Sequence, residues 1–230
     1  MVNSSDLFSR FALPLSTQAY NELMEVQAMV QDVVTDPDQT DSRTFPWGSS
    51  KYTSAKFYWF MFAATPVDRG LQSIWKSKCL PKLRVFAWLL MMDRLNTKDL
   101  MQRKNWHVDG GTRCVLGNAD VLETSEHLFF LCPFAKSCWE KIGVSWDCSL
   151  HVSQRFLMAK NSFTGPCFME AVICAAWNIW KERNDCIFRN QAHSRARWRV
   201  RFQSDLLLHK YRVKSSLVQP LLDWVLDTFT

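Results

Sequence analysis

The chain has 230 residues, of which 47% are hydrophobic and 22% are charged. This balance excludes a disordered chain, because it supplies enough apolar surface for one sizeable core or two small ones. Only 7 glycines and 8 prolines are present, which favours helices over turn-rich β architectures. The net charge of +6 makes nucleic acid or an acidic protein a reasonable partner, although a solvated basic face without any ligand would give the same total.

The charge is unevenly distributed along the chain. Residues 1–50 carry −5, residues 51–113 carry +8, residues 114–150 carry −3 and residues 151–230 carry +6. An acidic leading segment followed by two basic blocks predicts distinct surfaces, with nucleic acid or an acidic protein as candidate partners.

Neither a membrane span nor a secretory signal is predicted. The longest apolar run, VFAWLLMM, is far below the roughly 18 residues that a span requires. The opening MVNSSDLFSRFALPLS lacks the apolar core of a secretory signal, but its Ser-rich character leaves import into an organelle open. The eight cysteines are therefore interpreted as reduced thiols of an intracellular protein, located in the nucleus or cytoplasm.

The first predicted helix runs through AYNELMEVQAMVQDVV, with Ser16 and Thr17 placed to cap it. An apolar stripe recurs on one face of this helix, at Leu23, Val26, Val30 and Val33. The polar, acidic segment TDPDQTDSR that follows is typical of a linker. The segment beginning FPWGSS predicts a turn, with a short strand as an alternative, and an aromatic helix then begins near Ser54.

The strongest predicted helix is PKLRVFAWLLMMDRL, in which Pro81 suits the first turn and the apolar residues from Val85 to Met92 predict burial on nearly all sides. Asn96 and Thr97 are expected to cap a short helix in TKDLMQRKNW, and the Gly110-Gly111 pair ends this block.

Four further helices are predicted in the second half of the chain. PFAKSCWEKIG is expected to stop at Gly143, and CFMEAVICAAWNIWKERNDCIF reads as a long amphipathic helix. The last segment, from Ala196, predicts two helices broken near Pro220.

Together these elements predict a mainly α, helical bundle-like fold with a small knuckle loop, which we define as residues 113–132. We divide it into an acidic N-terminal helix and linker (residues 1–44), a central domain (residues 45–150) and a C-terminal helical segment packing on that domain (residues 151–230).

The stretch RCVLGNADVLETSEHLFFLC carries the strongest chemical pattern. Cys114, His127 and Cys132 have spacings that suit three zinc ligands, but Gly117 occupies the place where a Cys-x-x-Cys pair would supply the fourth. Asp120, Glu123 or Cys138 could donate instead, although none has the expected spacing. The alternative interpretation is that the two cysteines are small buried hydrophobes and that His127 is a hydrogen-bonded core residue.

The densest basic run is a predicted nucleic-acid site. Its residues would place guanidinium groups against phosphates and an exposed indole against a base; they are Arg195, Arg197, Trp198, Arg199 and Arg201. The first basic block adds Lys76, Lys78, Lys82 and Arg84. The alternative places Trp198 in the core, with the arginines covering the apolar helix around it.

No catalytic constellation is recognisable, so the chain is predicted not to be an enzyme and to have no small-molecule substrate. Glu123 and Glu126 read as solvated loop residues rather than a two-metal centre. A Gly-rich phosphate loop is absent from the sequence, and no Ser-His-Asp or Cys-His arrangement can be argued from spacing.

Residues from Trp47 to about Phe188 resemble the zinc-binding region that follows the polymerase in plant non-LTR retrotransposon reverse transcriptases. The segments that carry the resemblance are IWKSKCLPKLRVFAWLLMMDRLNTKDLMQRKNW, EHLFFLCPFAKSCWEKIGVSW and AAWNIWKERNDCIFRN. The resemblance implies that Cys114, His127 and Cys132 match zinc positions of the family and that Gly117 departs from its second Cys.

The same resemblance implies an ancestral role in binding element RNA or DNA beside a polymerase. The polymerase's Tyr-x-Asp-Asp motif and the carboxylates of an RNase H domain do not occur here, so we expect a free-standing, non-catalytic module. The alternative function is a domesticated protein-interaction module that contacts a host protein and has no nucleic-acid role. A translated remnant without a selected function is a third interpretation.

Overall fold

The structure is a computed structural model, and its contacts divide the chain into two compact units, residues 1–65 and residues 66–230. The boundaries predicted after residues 44 and 150 stay predictions. The residues described are 14–31, 40, 42–107, 110–117 and 120–229.

In the first unit, α1 (Thr17–Gln31) begins where the sequence predicts. The hydroxyl of Ser16 accepts a hydrogen bond from the Ala19 N–H at 3.2 Å, which satisfies one of the free donors of the first turn. Leu23 is buried, but Val26 is 48% exposed, so the predicted apolar stripe is only partly covered. Val33 and most of the predicted linker lie outside the described residues.

Helix α2 (Ser54–Phe62) confirms the predicted aromatic helix. Thr53 caps it, because its side chain accepts from the Lys56 N–H at 3.2 Å. The predicted turn before it is also confirmed, since the Gly48 N–H donates to the Phe45 carbonyl at 2.8 Å. None of the residues of α2 is buried.

The second unit is mainly α, as predicted. Among the residues described there, strand pairing is limited to a single antiparallel bridge between Arg113 and Leu122. No described helix is both long enough and apolar enough to cross a membrane. In chain order the elements are α3 (Arg69–Lys76), α4 (Pro81–Met91), α5 (Lys98–Arg103), a π-helix (His127–Leu131), α6 (Pro133–Lys141), α7 (Val152–Ser162), α8 (Phe168–Arg189), α9 (Arg195–Leu207), a 3-10 helix (Leu208–Tyr211) and α10 (Ser215–Phe229).

Helix α8 is the centre of this unit. It packs against α4, α6 and α9, and 14 of its 22 residues are buried, which is far more than the single apolar stripe that the sequence predicts. Small side chains at Ala171, Ala175 and Ala176 lie fully or almost fully buried along it. They let neighbouring helices approach closely, so α8 is covered by other helices on several sides and not on one side alone.

Aromatic rings fill the space between α4, the π-helix and α8. Phe86 makes an edge contact with Trp177 at 5.0 Å between ring centroids, and Phe129 stacks on Trp180 at 6.2 Å. Fully burying one such ring stabilises the fold by roughly 1.5–3 kcal/mol. The same contacts hold the π-helix against α8, which fixes the position of the residues that follow it.

Helix α4 is less buried than the sequence predicts. Phe86, Ala87 and Leu90 are buried, but Val85 is 44% and Met92 is 41% exposed. The helix therefore has a solvent-facing side that happens to be apolar.

The predicted break at Pro220 is wrong. Pro220 lies inside α10, and the chain leaves the helical path after the 3-10 helix instead. A proline in a helix removes one backbone hydrogen bond, but Leu221, Val225 and Phe229 recur at intervals of four and are all buried. Burial of this stripe outweighs the lost bond.

Two helices, α3 and α7, have no counterpart among the predicted elements. Helix α3 is capped by Asp68, whose side chain accepts from the Leu71 N–H at 2.9 Å, and it buries only Gly70 and Ile74. Helix α7 has no side-chain cap. Short helices with so few buried positions show little periodicity of apolar residues in the sequence. Asp68 is a common type of capping residue and could have indicated the start of α3.

A buried ion pair joins the knuckle to the central helix. The Arg183 guanidinium lies 2.6 Å from Glu123 Oε1, with side-chain exposures of 3% and 0%. The same carboxylate oxygen accepts from the Lys98 N–H at 3.1 Å, at the start of α5, and Arg183 also donates to the Asn96 carbonyl at 3.4 Å. Three segments far apart in sequence therefore meet at one pair of charges.

We expect Arg183→Met to lower the free energy of unfolding by about 3–5 kcal/mol, because it leaves the Glu123 carboxylate buried without its cation. Urea denaturation followed by circular dichroism measures the loss. The matched control is Arg103→Met, which breaks exposed ion pairs with Asp93 and Asp99 and should cost less than about 1 kcal/mol. Equal losses in the two variants would contradict the special contribution of the buried pair.

Candidate functional site

The first ligand of the predicted zinc site is held by a short antiparallel pairing. The Cys114 N–H donates to the Val121 carbonyl and the Glu123 N–H donates to the Thr112 carbonyl, both at 2.9 Å. These bonds bring the two arms of the knuckle together. Gly117, where the family pattern has a second Cys, comes three residues after Cys114.

The other two ligands are set by the π-helix. The Cys132 N–H donates to the His127 carbonyl at 2.7 Å, closing a turn over five residues. In an α-helix, residues five apart point to different sides, whereas the wider π turn brings them closer to one side. Thr124 starts this turn, because its hydroxyl accepts from the His127 N–H at 2.9 Å.

The three predicted ligands converge in the structure. Ligand atoms of Cys114, His127 and Cys132 all lie within 4.8 Å of one another, and the two sulfurs are 3.9 Å apart. All three residues are buried, with exposures of 6%, 8% and 0%. Nε2 of His127 is a buried nitrogen without a hydrogen-bond partner in the described part of the chain. This unpartnered nitrogen counts against the interpretation of His127 as a hydrogen-bonded core residue.

The surroundings of the two sulfurs favour a thiolate at Cys132. The Cys114 S–H, and then the backbone N–H groups of Ala135 and Phe134 in the first turn of α6, lower the pKa of Cys132 to about 6 against the opposing effect of burial. Proximity to the Cys132 sulfur, together with burial, raises the pKa of Cys114. One thiolate is thus ready to bind a cation near neutral pH, since the thiolate is the metal-binding form.

This arrangement fits zinc. Two sulfurs bound at about 2.3 Å around a tetrahedral ion would lie about 3.8 Å apart, which is close to the observed 3.9 Å. An unpartnered buried imidazole nitrogen beside them supplies the third donor. Gly117 has no side chain, so it cannot supply the fourth ligand.

None of the predicted substitute donors completes the site. Asp120 forms an ion pair with Arg113, and Glu123 is engaged by Arg183. Cys138 is buried in α6 but does not belong to the cluster. Across the described ranges, the cluster of Cys114, His127 and Cys132 is the one place where three such side chains come within ligating distance of each other.

The predicted nucleic-acid segment is largely part of the core packing. Trp198 is only 2% exposed, and its indole N–H donates to the Ala175 carbonyl at 3.3 Å. Its ring also stacks on Phe202 at 5.2 Å. Trp198 is therefore too buried to stack on a base, and the predicted exposed indole is wrong. The apolar face of α9 turns Trp198 inward.

Two of the arginines are held by carboxylates of α8. Arg197 lies 2.6 Å from Glu182, and Arg201 lies 3.1 Å from Glu182 and 2.6 Å from Asp185. Glu182 is fully buried, so these pairs fasten α9 to α8 instead of facing a phosphate.

The remaining two arginines are differently placed. Arg195 is exposed and Arg199 half-buried, and Arg199 lies over the Phe229 ring at 5.3 Å. Neither forms an ion pair with a residue that the structure describes. Nucleic-acid binding by this segment stays a prediction, supported now by Arg195 and Arg199 alone.

Fold and site together define a class of protein: a mainly helical chain with a small knuckle that carries a buried Cys-His-Cys cluster. Residues 52–139 match the family described as zinc-binding in reverse transcriptase. This match covers less than half of the 230 residues but includes all three clustered side chains. Comparison with curated proteins and with solved structures gives no match.

The ion pairs between α8 and α9 predict an acid-sensitive stability. Burial opposes ionisation of Asp185, but Arg201, Arg189 and Arg197 hold its pKa below the ordinary value of 3.8. The carboxylate therefore stabilises the fold fully above pH 4, and this contribution is lost as the pH falls through the lowered pKa.

We expect Asp185→Asn to cost roughly 1.5–3 kcal/mol at pH 7, and this cost should shrink as the pH falls through the lowered pKa of Asp185. Urea unfolding at several pH values measures this difference. As a control, Asp223→Asn in α10 removes an exposed carboxylate and should change stability by less than about 0.5 kcal/mol. A penalty for Asp185→Asn that does not shrink as the pH is lowered would contradict the assignment.

Proposed function

We propose that this chain is a non-catalytic, zinc-binding module derived from the region that follows the polymerase in a plant non-LTR retrotransposon, and that it binds nucleic acid. The observation that carries the proposal is the convergence of Cys114, His127 and Cys132 inside the segment that matches a reverse-transcriptase zinc-binding family. The unpartnered Nε2 of His127 supports a metal at this point, because buried polar atoms are rarely left without a partner.

The metal would have a structural role. Cys114 belongs to the knuckle pairing, whereas His127 and Cys132 flank the π-helix, so a bound ion would join the two segments. A three-ligand site with one open position is also the arrangement of catalytic zinc. Here the ligands are at most 8% exposed, which keeps a substrate away from the fourth position and supports a non-catalytic function.

Charge supports nucleic acid as the partner. The blocks of +8 and +6 would attract phosphates with little sequence preference. Part of this charge is neutralised by internal ion pairs, as for Arg197 and Arg201. The cations that remain exposed would therefore form the binding surface.

A second candidate function, contact with a host protein, is favoured by α2. This helix presents exposed aromatic side chains on several sides, including Tyr58 at 62%, Trp59 at 71% and Phe62 at 56%. Exposed apolar clusters of this kind commonly mark binding sites for proteins. Such a partner would be held mainly by apolar burial, which responds to salt very differently from phosphate binding.

Metal content tests the first part of the proposal. We expect the purified native chain to bind about one equivalent of zinc, and Cys132→Ser to lose it, because the thiolate ligand is gone. Gly117→Cys restores the fourth donor and should tighten binding by at least about tenfold. Titration against a chromophoric chelator gives both stoichiometry and affinity.

The outcomes of this titration are distinguishable. Zinc in Gly117→Cys alone would show an intact scaffold that works without metal in the native chain, contrary to the proposal. Zinc in neither protein would contradict the assignment of the cluster as a metal site.

Salt dependence tests the second part. Binding of the native chain to a labelled 12-nucleotide single strand should weaken steeply with added salt, with a slope of about 0.7 per phosphate contact on logarithmic axes. Fluorescence anisotropy at several salt concentrations measures it. If the native chain does not bind the oligonucleotide, the proposed nucleic-acid function is contradicted and a protein partner is favoured.

A further inference from the structure

A groove of about 390 Å³ lies among the start of α4, the middle of α8 and the 3-10 helix. Its walls combine aromatic and basic side chains, a combination that occurs in none of the other described cavities; those used in the argument are Lys82, Trp177, Lys181, His209, Tyr211 and Arg212. The volume falls in the range of pockets that enclose one small organic group.

We propose that this groove binds one nucleotide unit of a single-stranded nucleic acid, with the base against Tyr211 and the adjoining phosphates on Lys82 and Arg212. This inference rests on the proposed nucleic-acid function and gives that function a surface away from the predicted segment in α9.

The cations at the rim are available to an anion. Lys82 is exposed in the first turn of α4. Arg212 donates from Nε to the Lys78 carbonyl at 2.7 Å, which orients the guanidinium and leaves its terminal nitrogens for a ligand. No ion pair of either residue occurs in the described part of the chain. Lys181, in contrast, is paired with Asp205 at 2.8 Å, so it closes the wall of the groove.

The aromatic groups suit a planar base. Tyr211 is 77% exposed, and Lys210 lies 4.9 Å from its ring centroid. An exposed ring of this kind offers a face for stacking, as in proteins that bind single strands without sequence preference. Trp177 is fixed by its edge contact with Phe86, so the opposite wall is rigid.

His209 forms a fixed part of the lining. It is 2% exposed, and its Nδ1 lies 3.0 Å from the Asp205 carbonyl. Its ring also lies against the buried thiols of Cys79 and Cys174. The imidazole is therefore held from within the fold and gives the groove a rigid wall.

These features favour a nucleotide over an acidic peptide. A carboxylate side chain would use only the rim cations and would leave the exposed aromatic face without a partner. A nucleotide engages both, since it carries a flat ring and a charged group. Duplex nucleic acid offers no free base, so the groove should prefer single strands.

The test compares two matched double variants. Tyr211→Ala with Lys82→Ala removes the stacking face and one phosphate contact. Phe188→Ala with Lys160→Ala removes an equally exposed ring (76%) and an exposed lysine elsewhere in the same unit. Affinity for a labelled 12-nucleotide polyuridylate strand is measured by anisotropy against salt, beside a blunt hairpin and a polyglutamate peptide.

We expect the groove variant to lose at least about tenfold in single-strand affinity and to lower the salt slope by about 0.7, while the control changes less than twofold. Equal single-strand binding by native chain and groove variant would overturn the groove and leave the proposed function standing. Native chain that binds no nucleic acid at all would overturn both. A loss confined to polyglutamate would mean an acidic protein partner and would also overturn the inference.

Discussion

The position of the knuckle depends on the buried pair of Glu123 and Arg183. Glu123 ends one arm of the knuckle pairing, Arg183 lies on the central helix, and the shared carboxylate also receives the first N–H of α5. A carboxylate taken fully out of water is costly unless it is paired and hydrogen-bonded, so these segments have little freedom to separate. The ligand Cys114 is nine residues from Glu123 on the partner arm of the same pairing. The geometry of the candidate metal site is therefore set in part by charges that no metal touches.

The same device recurs further along α8. Glu182 and Asp185 hold Arg197 and Arg201 of α9, as Arg183 holds Glu123. This part of α8 thus carries both signs of charge on different sides and uses each to fix a different neighbour. This explains why the densest basic run in the chain is a poor guide to where an anion would bind: Arg197 and Arg201, two of its four arginines, are already paired with carboxylates. The cations without carboxylate partners, such as Lys82 and Arg212, lie around a groove that no local sequence pattern reveals.

The sequence predicted what is local and missed what is distant. The helical class and the caps at Ser16 and Thr97 follow from spacings of a few residues, and the structure confirms them. The three residues predicted as zinc ligands also have short spacings, and the structure brings them together. The pairing of Glu123 with Arg183 spans 60 residues, and neither residue has a local pattern that announces its partner. The burial of Trp198 also depends on distant residues. A single aromatic residue among arginines could stack on a base at the surface or pack in the core, and only the position of the neighbouring helix decides between them. At Pro220 a local rule was overridden by packing of the surrounding apolar stripe.

The missing fourth ligand at Gly117 does not prevent the scaffold from holding the other three candidate ligands. In small zinc domains the metal supplies much of the folding free energy, and loss of a ligand unfolds them. Here the two arms of the knuckle are joined by backbone hydrogen bonds, the π turn places His127 and Cys132 by itself, and aromatic packing and the Glu123 pair hold both parts to α8. With the three candidate ligands held in place by other forces, a glycine at position 117 removes one donor without dismantling the scaffold. The other three donors stay together, so the proposed zinc site can persist with three protein ligands.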